Sequence, residues 1–470
     1  MTAARFRADH LYTASGWMSP GYFEVDGAGT LRTVRAKRPR DWPVGTLSRL
    51  AGFVVPGSIN LHSHAHLRAL AGRTERASAP GVADNLWTWR AQMYACTEMI
   101  EPEDLQAIAA QAYVEMLEAG YTTVGEFHYL HHGRTGRPYA DPAEMSKRVL
   151  AAAGEAGIAI TLLPVLYATG GVRKPPSPGQ RRFLHPDPDR YLSLVETLAN
   201  GAHSAPLVRV GIAPHSLRAV DPDRLSRVLG ATTKTLREAP IHMHVAERKE
   251  EVQECVEGLG AAPVDWLIAN VGVDARWTLV HATHCSDRER KAIAASGAVV
   301  GLCPATEANL GDGIFPISRF VAEGGCWGIG TDMNHAISLI EELRILELGQ
   351  RLRHQRRNIL ADPGSESTAH PGRRLLDLAW TGGARSVAHP TGSIESGKRA
   401  DLVVLDPQCP SLMEHGPQTI LDAWIFSATA NPVRDVMVAG RWVVHDGAHR
   451  YRDRVLRRFR KAIRRIWSEA

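Results

Sequence analysis

The sequence predicts an α/β protein: a (β/α)8 barrel with a small β-domain assembled from both ends of the chain. Between residues 52 and 389, eight short runs that are apolar throughout alternate with amphipathic stretches, as parallel strands buried on both faces do. The two ends lack that pattern and read as short strands in Gly-bounded hairpins. Histidines and carboxylates crowd the ends of the central runs, the face of a barrel on which chemistry is built.

Residues 1–55 form the first part of the β-domain. The barrel follows over 56–389, with strand runs GFVVPGSINLH, YTTVGEFHY, IAITLLPVLY, LVRVGIAPHS, IHMHVAE, WTLVHATH, GAVVGLCP and CWGIGTD. Helical spacing fills the gaps, as in PEDLQAIAAQAYVEMLEAG, and two such stretches open with Asp-Pro (Asp141-Pro142 and Asp221-Pro222), a good N-cap and N1 pair. A doubly wound open sheet fits less well, because no glycine-rich phosphate loop follows the first strand. The segment 168–183, basic and rich in Pro and Gly, leaves strand three on the C-terminal face and is a candidate cover for the mouth. Residues 390–450 return to the β-domain. Residues 451–470 read as a basic amphipathic helix whose stripe, Val455, Leu456, Phe459, Ile463 and Ile466, is expected to pack on its own domain.

The 470 residues are 44% hydrophobic and 22% charged, the balance of a globular chain, and no run approaches the roughly 18 apolar residues of a membrane span. Six cysteines without CxxC pairs point to a reducing cytoplasm and exclude a zinc ribbon. The net charge of +5 is concentrated in the tail, and no nucleic-acid module accompanies it. A small-molecule substrate is expected, with neither a membrane nor a nucleic acid as partner.

Six of the eight strand ends carry reactive groups. His62 and His64 close strand one, Glu126 and His128 strand two, His215 and Arg218 strand four, His242, His244 and Glu247 strand five, His281 and His284 strand six, and Asp332 strand eight. Residues i and i+2 of a strand share a face, so His62 and His64 can meet one ion. Neutral imidazole and carboxylate suit a borderline cation such as Zn²⁺ with a position left for water. Strand five adds a third imidazole, and spacing alone does not choose between His242 and His244. Asp332 can complete the shell. The absence of a cysteine ligand and of a strand-four lysine indicates one metal. Zinc lowers the pKa of bound water from ~15.7 to about 7. Asp332 can take the proton of that water, His281 can orient it or stabilise an oxyanion, and Glu247 can protonate a leaving nitrogen.

PGSINLHSHAH, HMHVAE, LVHATH and GTD, in that order, resemble the amidohydrolase superfamily in its single-metal deaminase branch, and SIESGKRADLVVLD resembles its returning β-domain. LWTWRAQMY, GEFHYLHH, PHSLRAV, ATEANLGDGIFP and VRDVMVAGRWVV are similar to the family of N-formimino-L-glutamate iminohydrolases of histidine degradation. The resemblance implies a metal-dependent barrel in which His62, His64, His244 and Asp332 bind zinc. It implies that Glu247 and His281 act on the substrate, that Arg90, Tyr129, His215 and Arg218 hold it, and that the enzyme is a homodimer. A substrate with two carboxylates and a cationic amidine gives Arg90 and Arg218 one carboxylate each. The plainer alternatives are Arg90 stacked on Trp87 or Trp89, and Arg218 in a helix-surface ion pair.

Two positions depart from that family. Leu67 stands where it usually has a hydrogen-bonding side chain, with His66 one place earlier, and Met333-Asn334 replaces its usual Ser-His, with His335 one place later. The shifts are expected either to compensate one another or to mark another carboxylate-bearing formimino, guanidino or amino-heterocycle substrate, since a lost hydrogen-bond donor changes discrimination strongly. His66, His128, His131, His132 and His284 are expected to be supporting or structural.

Overall fold

The computed structural model describes residues 3–79, 84–366 and 368–468. Eight parallel strands close a (β/α)8 barrel: Ser58–Ser63, Tyr121–His128, Ala159–Leu166, Val208–Val210 with Ala213–Pro214, Ile241–Val245, Trp277–His281, Val299–Leu302 and Cys326–Ile329. Two single bridges, Ser63 to Asp332 and Ile212 to Ile241, join the halves of the sheet. The strands are almost wholly buried, which accounts for their unbroken apolar runs.

The flanking sheet has nine strands from both ends of the chain. Leu402–Leu405 lies antiparallel to Leu47–Pro56, so the returning chain pairs directly with the outgoing one. Successive residues on these two strands face opposite ways. Val54, Leu402 and Val404 join Phe6, Phe23 and Met437 in a core of the sheet's own, while Phe53, Val55, Val403 and Leu405 join the barrel core.

The run Gly52–His62 is not one strand but two, divided at Gly57. There the chain passes from the outer sheet into the barrel, so close to Thr122 that a Cβ would lie 2.3 Å from its side chain. The second Asp-Pro pair caps its helix as expected, with Asp221 Oδ1 accepting the Arg224 N–H at 3.1 Å. The first does not. Asp141 takes the Ala143 N–H in a turn, and the helix begins only at Glu144.

The C-terminal helix, Arg452–Ser468, buries Val455, Ala462 and Ile466. Its basic face is paired: Arg452 with Glu118 at 2.9 Å, Arg458 with Glu155 at 2.7 Å, and Arg465 with Asp104. It therefore packs on the barrel helices Pro102–Glu118 and Glu144–Ala156. Among the described residues no helix is long and apolar enough to cross a membrane.

Candidate active site

At the C-terminal mouth of the barrel, His62, His64, His244 and Asp332 bring one donor atom each to within 4.8 Å of one another, and all four are buried. Strand ends set this placement. His64 leaves strand one in the turn after Ser63, and its N–H bonds the Asp332 carbonyl at 2.9 Å, while the Asp332 N–H returns to His62 O at 3.0 Å. Asn60 carries the same seam deeper, donating to Thr331 Oγ1 at 2.6 Å and accepting the Thr331 N–H at 3.0 Å. Ala246, His281, Ala282, Asp332 and Asn334 all have positive φ, and this local strain is concentrated at the mouth.

Outer partners fix which way the rings face. His64 Nδ1 lies 2.8 Å from Phe127 O, and His244 Nδ1 lies 3.2 Å from His215 O. A carbonyl only accepts, so each Nδ1 carries the proton and each Nε2 lone pair points inward. His64 Nε2 is then 3.1 Å from Asp332 Oδ1, and His244 Nε2 is 3.1 Å from His62 Nε2. Burial pushes the His62 imidazole down to about 3 and His244 well below its usual value. Inward lone pairs around an ionised carboxylate repel one another unless a cation sits among them, so the donor set fits a divalent metal.

His281 stands beside this group, with Nε2 at 3.8 Å from Asp332 Oδ2 and 4.0 Å from Glu247 Oε1. Burial pushes its imidazole down, but the surrounding carboxylates of Glu247, Glu307 and Asp332 outweigh that and raise it to about 10. A cleft opens over these residues. Arg90, Tyr129, His215 and Arg218 line it, as does Leu67. Arg90 lies over Trp87 at 5.5 Å yet also donates to Tyr167 Oη at 2.7 Å, so it both stacks and faces the cleft. Arg218 is no surface residue: it is buried, 3.7 Å from Glu247 and 3.8 Å from Glu251.

The two displaced histidines do not compensate inside the cleft. His66 is fully buried behind Tyr129, ring to ring at 4.7 Å, and His335 lines a separate surface groove with Arg68 and Glu115. Met333 lines the cleft beside Leu67, whereas Asn334 turns inward, bonding Thr331 Oγ1 and Ser63 Oγ. His242 lies deeper and meets Ser386 O at 2.9 Å. His131, His132 and His284 each bond a backbone carbonyl, at 3.0, 2.8 and 2.8 Å. His128 is fully buried, ring to ring with His131 at 5.2 Å.

Glu126 stands at the strand-two end that the sequence marked, whereas other neighbours had no signal in spacing. Glu126 accepts from Ser63 Oγ and the Ala65 N–H and so holds the turn after strand one, while Glu307 reaches His281 from the ATEANLGDGIFP segment. Tyr94, on the helix Leu86–Met99, and Tyr167, just past strand three, also line the cleft. Cys303 also comes within reach of His281 and Asp332, although no cysteine was expected there. Burial raises its thiol well above the usual value, which makes it a poor ligand.

The amidohydrolase family model matches residues 53–443. The chain belongs to the amidohydrolase family. It is 47% identical, over 96% of its length and 97% of the relative's, to a formimidoylglutamate deiminase of Pseudomonas aeruginosa. Among solved structures, an amidohydrolase from Brucella melitensis superposes with a TM-score of 0.91 at 42% identity, covering 99% of this chain and 100% of that one. A zinc-bound adenosine deaminase from Xanthomonas campestris shares the fold, with a TM-score of 0.80 at 21% identity and 99% of each chain covered. In this amidohydrolase, the four donor atoms at the mouth of the barrel lie close enough together to hold a metal ion.

Proposed function

We propose that the protein is a zinc-dependent deiminase that hydrolyses N-formimino-L-glutamate to N-formyl-L-glutamate and ammonia, as a step of histidine degradation. The observation that carries this reading is the pairing, in one cleft, of a four-donor metal group with two guanidiniums, Arg90 and Arg218. Paired guanidiniums suit a substrate with two carboxylates, and the 47% identical relative, a formimidoylglutamate deiminase, supports the same substrate.

In this reading His62, His64, His244 and Asp332 hold one zinc ion. Zinc bound there makes water acidic enough to ionise near neutral pH. Arg90 and Arg218 clamp the two carboxylates, with Tyr129 and His215 as further donors, and set the formimino carbon over the metal group. Asp332 accepts a proton from the attacking water, and His281 orients the oxygen that adds to the formimino carbon. Glu247 takes the proton of the adduct's hydroxyl and delivers it to the terminal amidine nitrogen, the C–N bond breaks, the carbonyl of N-formylglutamate forms, and ammonia leaves with the proton that Asp332 held. The reading also places the enzyme in the cytoplasm, supported by six cysteines that form no disulfide, and takes it as a homodimer on family grounds.

The test is ammonia release from N-formimino-L-glutamate by zinc-loaded protein, with Glu247→Gln in parallel. Turnover that is abolished in the variant is the expected result. No turnover by protein holding about one zinc per chain sinks the assignment. The substrate would then be another carboxylate-bearing amidine, selected by the apolar wall of Leu67 and Met333.

A further inference from the structure

Two tyrosines unused by the mechanism above face the cleft beside Arg90. Tyr167 Oη accepts two hydrogen bonds, from Arg90 Nη2 at 2.7 Å and from Gln180 Nε2 at 2.8 Å. The amide of Gln180 cannot be reversed, because its Oε1 accepts the Ser177 N–H at 2.6 Å. A phenol oxygen has two lone pairs and one hydrogen, so with both lone pairs engaged Tyr167 has only its O–H to offer. Tyr167 lines the cleft and is 4% exposed.

Tyr94 stands next to it. Its Oη is buried beside Arg90 and Gln180, its ring lies 5.2 Å from the Arg90 guanidinium, and burial pushes the phenol up to about 12, so it remains a donor. The turn Pro178–Gln180 approaches this ring so closely that a Cβ on Gly179 would lie 2.5 Å from it. The 168–183 segment is thus packed against the cleft wall, with Gln180 wholly buried under it.

We propose that Tyr167 and Tyr94 donate their O–H groups to the substrate carboxylate that Arg90 binds, and that Gln180 is the positioning residue that turns Tyr167 into an obligate donor. Three donors of this kind, one of them cationic, form a carboxylate subsite that selects dicarboxylic over monocarboxylic ligands. The substrate named here rests on the deiminase reading; the carboxylate chemistry of the wall does not.

The experiment is calorimetric binding of N-formyl-L-glutamate, which carries both carboxylates and no amidine to hydrolyse. Two monoacids accompany it: N-formyl-4-aminobutyrate and N-formyl-L-2-aminobutyrate, each lacking a different carboxylate. Tyr167→Phe is expected to weaken the diacid about tenfold, as loss of a charge-assisted hydrogen bond does. It should weaken one monoacid equally and leave the other within about twofold. Gln180→Leu should show the same pattern at smaller amplitude, and it reads the proposal if Tyr167→Phe folds poorly. A diacid affinity unchanged in both variants, or equal weakening of both monoacids, overturns the subsite, as does wild-type protein that does not prefer the diacid. Wild-type turnover is read separately: the binding pattern without deimination leaves the subsite standing and removes the deiminase reading.

Discussion

His281 Nδ1 lies 3.2 Å from Glu307 Oε1, and the same carboxylate oxygen accepts the Cys303 N–H at 2.9 Å. Glu307 is therefore held in place by the chain after strand seven and in turn fixes the ring that faces Glu247 and Asp332. Glu307→Gln keeps an acceptor but removes a charge. It is expected to lower kcat/KM by about 10–100-fold, as loss of an outer partner does at comparable sites, with zinc content retained. A pH effect on the metal-free protein accompanies it. The folded-state value of His281 is raised to about 10 from the ordinary 6.5. Its contribution to stability is thus complete below pH 6.5 and lost as pH rises through 10, a change on the order of a few kcal/mol. Urea unfolding of metal-free protein between pH 6 and 10 should show that decline, and a shallower one in Glu307→Gln. Equal slopes would show that Glu307 does not act through His281.

The metal group makes a separate prediction. His64 and His244 are oriented by carbonyls that their replacements cannot engage, and each supplies one of four donors. His64→Ala and His244→Ala are each expected to bring bound zinc well below one equivalent and to reduce kcat at least ~10³-fold. His242→Ala, which breaks the contacts with Ser386 O and Ser386 Oγ, should keep its metal. Elemental analysis after dialysis separates the two histidines of strand five. A zinc-free His242→Ala alongside a zinc-loaded His244→Ala would reverse their roles.

That contrast shows what the sequence could and could not tell. Parity on a strand placed His62 with His64, but it also made His242 and His244 equivalent. Two residues along a strand rise about 6.6 Å, so His242 lies one layer down, among core residues, while His244 reaches the mouth. Depth of this kind depends on the stagger of the barrel, which spacing does not record. The barrel itself was legible because strands buried on both faces leave unbroken apolar runs. The split at Gly57 was hidden by the same uniformity, since Val54 and Val55 in the outer sheet look like Ile59 and Leu61 in the barrel. Tyr167 follows strand three, Glu307 lies in the short helix after strand seven and Tyr94 in the helix Leu86–Met99; tertiary packing sets where these segments sit against the mouth, and nothing periodic marked the three as site residues.

Leu67 acts through shape. It is 2% exposed and packed with the barrel core where it lines the cleft. Leu67→Ala is therefore expected to cost about 2–5 kcal/mol of stability, as other large-to-small core changes do, and less than tenfold in kcat. Thermal unfolding and steady-state kinetics on one preparation check both halves. A collapse of kcat without a loss of stability would mean that Leu67 touches the reacting group.

Trp87 presents the opposite case. It is 44% exposed, yet its ring carries the guanidiniums of Arg90 at 5.5 Å and Arg218 at 6.0 Å. Two like charges converge on one cleft, and the face of the indole offsets part of their repulsion; each such contact is worth about 0.5–2 kcal/mol. Trp87→Ala should lower the melting temperature by only a few degrees, because nearly half of the residue is already exposed. It should raise KM for a dicarboxylate substrate about 5–30-fold with kcat largely retained, because both arginines lose their platform. Trp87→Phe, which keeps a ring, should recover most of the loss. A KM that Trp87→Ala does not move would place the alignment of the two guanidiniums with Tyr167, Glu247 and Glu251 instead.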